Sequence, residues 1–248
     1  MHMVYRSSNP ALNPQYFQGG TTTERMTLDG TVNKTLTLLA LVSMGAMFSF
    51  SIVTQNPALG FMIMVGAGIG GFVMALVVLF SRPKNPQVLM AMYAILEGLF
   101  IGAFSYMIEN YYLGGGDGII LQALVGTVAV FVTMLTVYKF GLSNHRKIRA
   151  CCSFLAGAIM VIYLFNFILM MFGTTVPFLH SSGPIGIGVS ILFTTVAALF
   201  LILDFAMIEN GVKYGAPKNM EWYGAFGLVL TLVWLYMEML KLIAKLRD

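Results

Sequence analysis

Long apolar stretches separated by short polar ones dominate the chain. No Asp, Glu, Lys or Arg interrupts residues 35–81, 118–138, 150–203 or 222–237, and a single acid, Glu97, falls within 85–108. A helix crossing a hydrocarbon core of about 30 Å needs about 20 apolar residues, each rising about 1.5 Å. The stretch 35–81 is too long for one crossing and breaks at Gln55-Asn56-Pro57, a turn signal. The stretch 150–203 is also too long and breaks between Gly173 and Pro184. The pattern predicts seven spans, at roughly 35–54, 58–80, 87–108, 118–138, 150–172, 185–208 and 222–244. Lipid offers no hydrogen bonds to a free backbone, so spans are helices or closed barrels. Barrel strands are about 10 residues long and alternate apolar with polar, whereas these segments are longer and apolar throughout. The expected fold is an all-α membrane protein, a seven-transmembrane-helix bundle over 35–248 preceded by a polar segment, 1–34.

Composition excludes several classes. Apolar residues make up 58% and charged residues 10%, with a mean hydropathy of +0.83. Globular domains carry about 25% charged residues, so an ordinary water-soluble enzyme, a disordered chain and a disulfide scaffold are ruled out. Cys151 and Cys152 are adjacent at the start of the fifth span and read as small apolar residues. Segment 1–34 lacks the basic start and apolar run of a cleavable signal, so the first span is expected to direct insertion.

Charge sets the expected orientation. Arg6, Arg25 and Lys34 precede the first span, Arg82 and Lys84 occupy the second loop, and Lys139, Arg146, Lys147 and Arg149 the fourth. Lys213 and Lys218 occupy the sixth, whereas the first, third and fifth loops hold no Lys or Arg. Lys and Arg concentrate on the cytoplasmic side, so the N-terminus is expected inside a multi-pass protein of the inner (plasma) membrane. Lys241, Lys245 and Arg247 oppose this, since a seventh crossing puts them outside. Either the last helix spans with a tolerated basic tail, which is the favoured reading, or it dips in and returns.

Small residues four apart let helices approach closely. Gly66 and Gly70 in the second span and Gly98 and Gly102 in the third have this spacing and are expected at helix contacts within the chain, the alternative being a dimer interface.

The chemistry rests on acids. A charged side chain at mid-bilayer costs about 2.5–3.5 kcal/mol on insertion scales, so it faces the bundle interior, a wet cavity or a partner. Glu97 lies near the midplane, Asp204 near the inner end of the sixth span, and Glu238 late in the seventh. Glu238 stands three residues before Lys241, on one helical face, so a local ion pair accounts for it. Acids without mid-span bases must share protons, bind cations or borrow hydrogen bonds. Asp204, Glu209 and Glu221 can gather where the sixth and seventh helices meet, an oxygen cluster of the kind hard cations such as calcium favour. The alternative for Glu209 and Glu221 is solvated loop charge paired with Lys213 and Lys218.

Enzyme signals are missing. There is no Gly-x-Ser-x-Gly elbow, no His-Glu-x-x-His motif, no P-loop, and no mid-span lysine in the seventh helix. No cofactor and no nucleic acid is expected.

Several stretches resemble a known family. These are Tyr93-Ala-Ile-Leu-Glu97-Gly98 through Gly102, Leu203-Asp204-Phe205 to Glu209-Asn210-Gly211, and Gly215-Ala-Pro217-Lys218 to Glu221-Trp222-Tyr223. With Trp234-Leu-Tyr236-Met-Glu238 to Lys241, they are similar to the Bax inhibitor-1-like group of bacterial membrane proteins, over about Met26 to Leu246. The resemblance implies a seven-helix bundle with the last helix central, and a pH-dependent calcium leak that uses aspartates in the sixth and seventh helices. Asp204 matches the first of these, and Glu97 matches a third-helix glutamate common in the family. At matching depth the seventh helix offers Phe226, Gly227, Leu228 and Thr231, with no acid. The second-span arginine of relatives has no counterpart within that span, Arg82 lying just past its end. The expected function is a pH-dependent cation leak, of calcium first, or of protons. The alternatives are a non-conducting membrane adaptor that binds other membrane proteins or proteases, and a secondary transporter. The lipid bilayer is the expected surrounding, and no metal centre is assigned.

Overall fold

The computed structural model describes residues 24–81, 83, 85–113, 118–141 and 146–247. The helices are α1 (Leu28–Gln55), α2 (Pro57–Ser81), α3 (Gln87–Leu113), α4 (Ile119–Lys139) and α5 (Arg146–Met171), a single turn α6 (Pro177–His180), then α7 (Pro184–Lys213) and α8 (Met220–Arg247). Among the described residues there is no strand, only an isolated antiparallel bridge between Arg25 and Pro217. Six helices, α1 to α4, α7 and α8, are long and apolar enough to cross a membrane. Within α5, itself 26 residues long, the apolar stretch is Phe154–Asn166. The chain is an all-α membrane protein of multi-pass type.

Side-chain burial reflects lipid as the solvent. Phe61, Phe72 and Phe80 on α2 and Leu121, Val125 and Val128 on α4 are exposed, where a water-soluble helix would bury such a face. Several threonine hydroxyls in the spans bond their own helix. Thr35, Thr127 and Thr194 donate to the carbonyls of Thr31, Ala123 and Ser190, one turn back, which satisfies them without a second helix.

The predicted break at Gln55-Asn56-Pro57 is present. Asn56 alone links the two helices, and Pro57 opens α2, where its missing N–H costs nothing. Two of the boundaries that differ from expectation bear on the site. The first helix starts at Leu28, within the segment read as a polar tail, because Thr27 caps it by accepting the Gly30 N–H at 3.0 Å. Asp29 in its first turn complements the helix dipole. The α7 helix runs on to Lys213, which sets Asp204 about 13 Å from its end at about 1.5 Å per residue. Asp204 is thus farther from the end of its helix than the expected span over 185–208 places it. At that end the N–H of Ala216 reaches the Gly211 carbonyl at 2.9 Å, with Gly215 at φ 69°, a glycine-terminated C-cap.

The chain divides into two compact units. The first comprises residues 1–107 and 204–230, the second residues 108–203 and 231–248. In the first unit, α1 and α3 touch backbone to backbone. A Cβ added at Gly98 would run into the Val42 carbonyl, and one at Gly102 into that of Ala46. The expectation for the second-span pair is corrected. Gly66 has open space, and Gly70 meets only Leu96 side-chain atoms at 3.5–3.6 Å, so neither needs to be glycine for contact. The glycine that faces Gly98 is Gly45 on α1. Tyr93 and Phe226 pack edge to face at 4.9 Å in this unit. In the second unit the core holds Cys152, Ile159, Val176, Leu179, Phe193, Val196, Phe200 and Leu203. Cys152 is packed there as a small core residue. The last helix is as buried as α7, more than half in each case and more than the other spans.

Candidate ion-handling site

In the first unit the polar residues gather where α1 begins and α8 begins. Glu221, in the first turn of α8, is 1% exposed. Its Oε1 accepts the Thr27 N–H and the Thr27 hydroxyl, both at 2.9 Å, and its Oε2 pairs with Lys34. The Lys34 ammonium also lies 5.5 Å from the Trp222 ring centroid. One carboxylate thus caps the start of α1 from a different helix.

A short strap precedes this cap. Met26 N–H donates to the Ala216 carbonyl at 2.8 Å, and Lys218 N–H to the Glu24 carbonyl at 3.2 Å. The Lys218 ammonium bonds the Glu24 carboxylate at 2.8 Å. That hydrogen bond holds the ammonium above its ordinary range. Met26 is buried at 2% exposure, so the strap is packed rather than loose.

Asp204 is fully buried, and every residue from Phe200 to Ile208 is buried around it. Glu209, five residues on, is exposed. The expected gathering of Asp204, Glu209 and Glu221 does not occur. One is in the interior, one faces outward, and the third is committed to Lys34 and Thr27. Among the described residues no three His, Cys, Asp or Glu side chains come together in a possible metal site. The alternative for Glu221, solvated charge paired with Lys213 or Lys218, gives way to a buried pair with Lys34. Glu97 is half-buried. It interacts with Tyr93, one turn before it on α3, and its Oε2 would lie 3.2 Å from a Cβ at Gly71 of α2. Arg6, Arg82, Lys84 and His145 lie outside the described residues.

In the second unit the expected local pair is present. Lys241 donates to Glu238 Oε1 at 2.8 Å, three residues along α8. The same oxygen accepts the Tyr163 hydroxyl at 2.6 Å and the Trp234 indole N–H at 3.1 Å. Lys245, one turn on and 4% exposed, donates to the Gly186 carbonyl at 3.2 Å and to Ser190 Oγ at 2.9 Å. Lys241 and Lys245, which opposed the orientation, are therefore bonded within α8's surroundings. No turn interrupts α8 from Met220 to Arg247, so within it the chain does not double back. Glu109 on α3 accepts the Gly118 N–H at 3.2 Å, at the start of α4.

Sequence reasoning missed Thr27, Tyr163, Trp234 and Lys245 as partners. Lys245 stands four residues after Lys241, a like-charge spacing that gives no sign of its partners on α7. Tyr163 was visible as a polar tip in the middle of an apolar span.

The model of a family described as Bax inhibitor 1 like matches residues 9–248 of this chain. A search of curated proteins finds no match.

Proposed function

Since the chain belongs to the Bax inhibitor 1 like family, we propose that it permits a pH-dependent leak of cations, calcium foremost, or of protons, across the cell's inner membrane. One observation carries the reading. Asp204 is fully buried within the apolar run of α7. A carboxylate placed there costs several kcal/mol to keep charged, and a purely packing role is served better by an apolar residue. The proposed role is protonation control. Falling pH neutralises Asp204 and removes the charge that draws a cation inward, and rising pH restores it. With the N-terminus inside, the α7–α8 turn faces the cytoplasm.

Calcium flux into liposomes carrying the purified protein, measured from about pH 5 to 8, tests this. The Asp204→Asn variant keeps the shape of the protonated acid, and its flux should lose most of its pH dependence. A variant with the wild-type profile removes Asp204 from the mechanism. Wild-type protein without flux at any pH removes the leak reading.

A second reading, a non-conducting adaptor, is favoured by one observation. Two of the acids that a conductor would present to cations, Glu221 and Glu238, are already held by Lys34 and Lys241. The same flux assay separates the two readings.

A further inference from the structure

The Glu238 cluster is more elaborate than a helical ion pair requires. An exposed pair three residues apart needs no third partner, and its yield is small. Here the carboxylate is 1% exposed, and one oxygen accepts a phenol, an indole and an ammonium. The phenol and indole are positioned independently of Lys241. The Tyr163 ring packs edge to face on Phe193 at 5.6 Å, and the Trp234 ring on Phe200 at 5.9 Å. The acceptor is therefore preorganised by α5, α7 and the first turns of this half of α8.

The ammonium fills what these groups surround. Lys241 Nζ bonds Glu238 Oε1 and the Tyr163 oxygen and lies 4.4 Å from the Tyr163 ring centroid. A carboxylate and a phenol oxygen that both accept from one ammonium make up the chemistry that recognises N–H-bearing ammonium ions, of which choline is not one. The Lys241 side chain is 21% exposed, so the site opens outward along its flexible stem. Lys245 is engaged with Gly186 and Ser190 and does not take its place.

We propose that Glu238, Tyr163 and Trp234 form a monovalent-cation site that the protein fills with its own Lys241, and that accepts a small ammonium-class cation when Lys241 withdraws. The exchange keeps the charge at the carboxylate unchanged, because one cation takes the position another vacates. Binding itself does not depend on the leak reading. Its consequence does: where the protein conducts, Lys241 occupies a cation position and holds back flux.

The test uses the full chain in detergent. Thermal unfolding of Lys241→Ala is followed in methylammonium chloride and in choline chloride at equal ionic strength. A cation that binds only the folded state raises Tm, and methylammonium should raise it by about 3 °C or more where choline does not. Glu238→Gln/Lys241→Ala should lose that difference. In case Lys241→Ala does not accumulate, the wild type serves. Potassium, which has ammonium's charge and nearly its size and does not consume the reagent, replaces choline as the chloride salt and should speed acylation of Lys241 by an amine-reactive reagent several-fold, read by mass spectrometry. Equal Tm in both salts, an equal rise in the double variant, or unchanged acylation overturns the site. In liposomes, Lys241→Ala should leak several-fold faster than wild type. A silent wild type removes the leak reading and leaves the binding result standing.

Discussion

Lys34 on α1 and Glu221 on α8 form an ion pair across 187 residues of sequence, and the same carboxylate caps the helix that carries the lysine. The two partners differ in their access to water. The Lys34 side chain is 19% exposed and Glu221 is 1% exposed. Removing the lysine strands a buried carboxylate, whereas neutralising the carboxylate frees a lysine that can turn outward.

That asymmetry ranks two variants. Lys34→Met should destabilise by about 3 kcal/mol, the low end for breaking one side of a buried pair. Glu221→Gln keeps the Thr27 hydrogen bonds and should cost about 1 kcal/mol. The double variant should be more stable than Lys34→Met alone. Chemical denaturation in detergent, analysed as a double-mutant cycle, reads all three. Equal costs for the two single variants contradict the burial argument.

Close helix approach makes a different ranking. Gly98→Ala and Gly102→Ala each push a methyl into α1 backbone, which cannot give way as a side-chain end can. Each should cost about 1–3 kcal/mol. Gly66→Ala, which meets nothing within 4 Å, should be neutral or slightly stabilising. Tm measured on the three purified variants checks the order.

The strap should respond to alkali. The Lys218 ammonium is held above its ordinary value by Glu24. A raised folded-state value means the contribution is complete below the ordinary lysine range, about 10.4, and is lost as pH rises through the raised value. Both partners are exposed, at 53% and 70%, so screening keeps the effect small. Wild type and Glu24→Gln should have indistinguishable Tm at pH 7, and the strap amides of Met26 and Lys218 should exchange faster in the variant.

Orientation is open to labelling. Single cysteines at Phe140 and Gly215, in a background without Cys151 and Cys152, should react only from the cytoplasmic side. One at Gly173 should react only from outside. Outside labelling at Phe140 contradicts an inside N-terminus.

The all-α spans, the break at Asn56 and the Glu238–Lys241 pair were legible in the sequence because each is decided within a few residues. Apolar length dictates a helix in lipid, proline opens the next one, and three-residue spacing brings two side chains together. The burial of Asp204 was legible too, since insertion cost forces it inward. Tertiary structure decided which glycines are needed, because Gly66 and Gly98 each open a pair of glycines four apart and only Gly98 of the two faces another backbone. It also decided the fate of Glu221. In sequence its nearest cation is Lys218, three residues before it, yet the strap ties Lys218 to Glu24. The start of α1 supplies the lysine instead, because the cap of one helix and the first turn of another meet only in the folded chain.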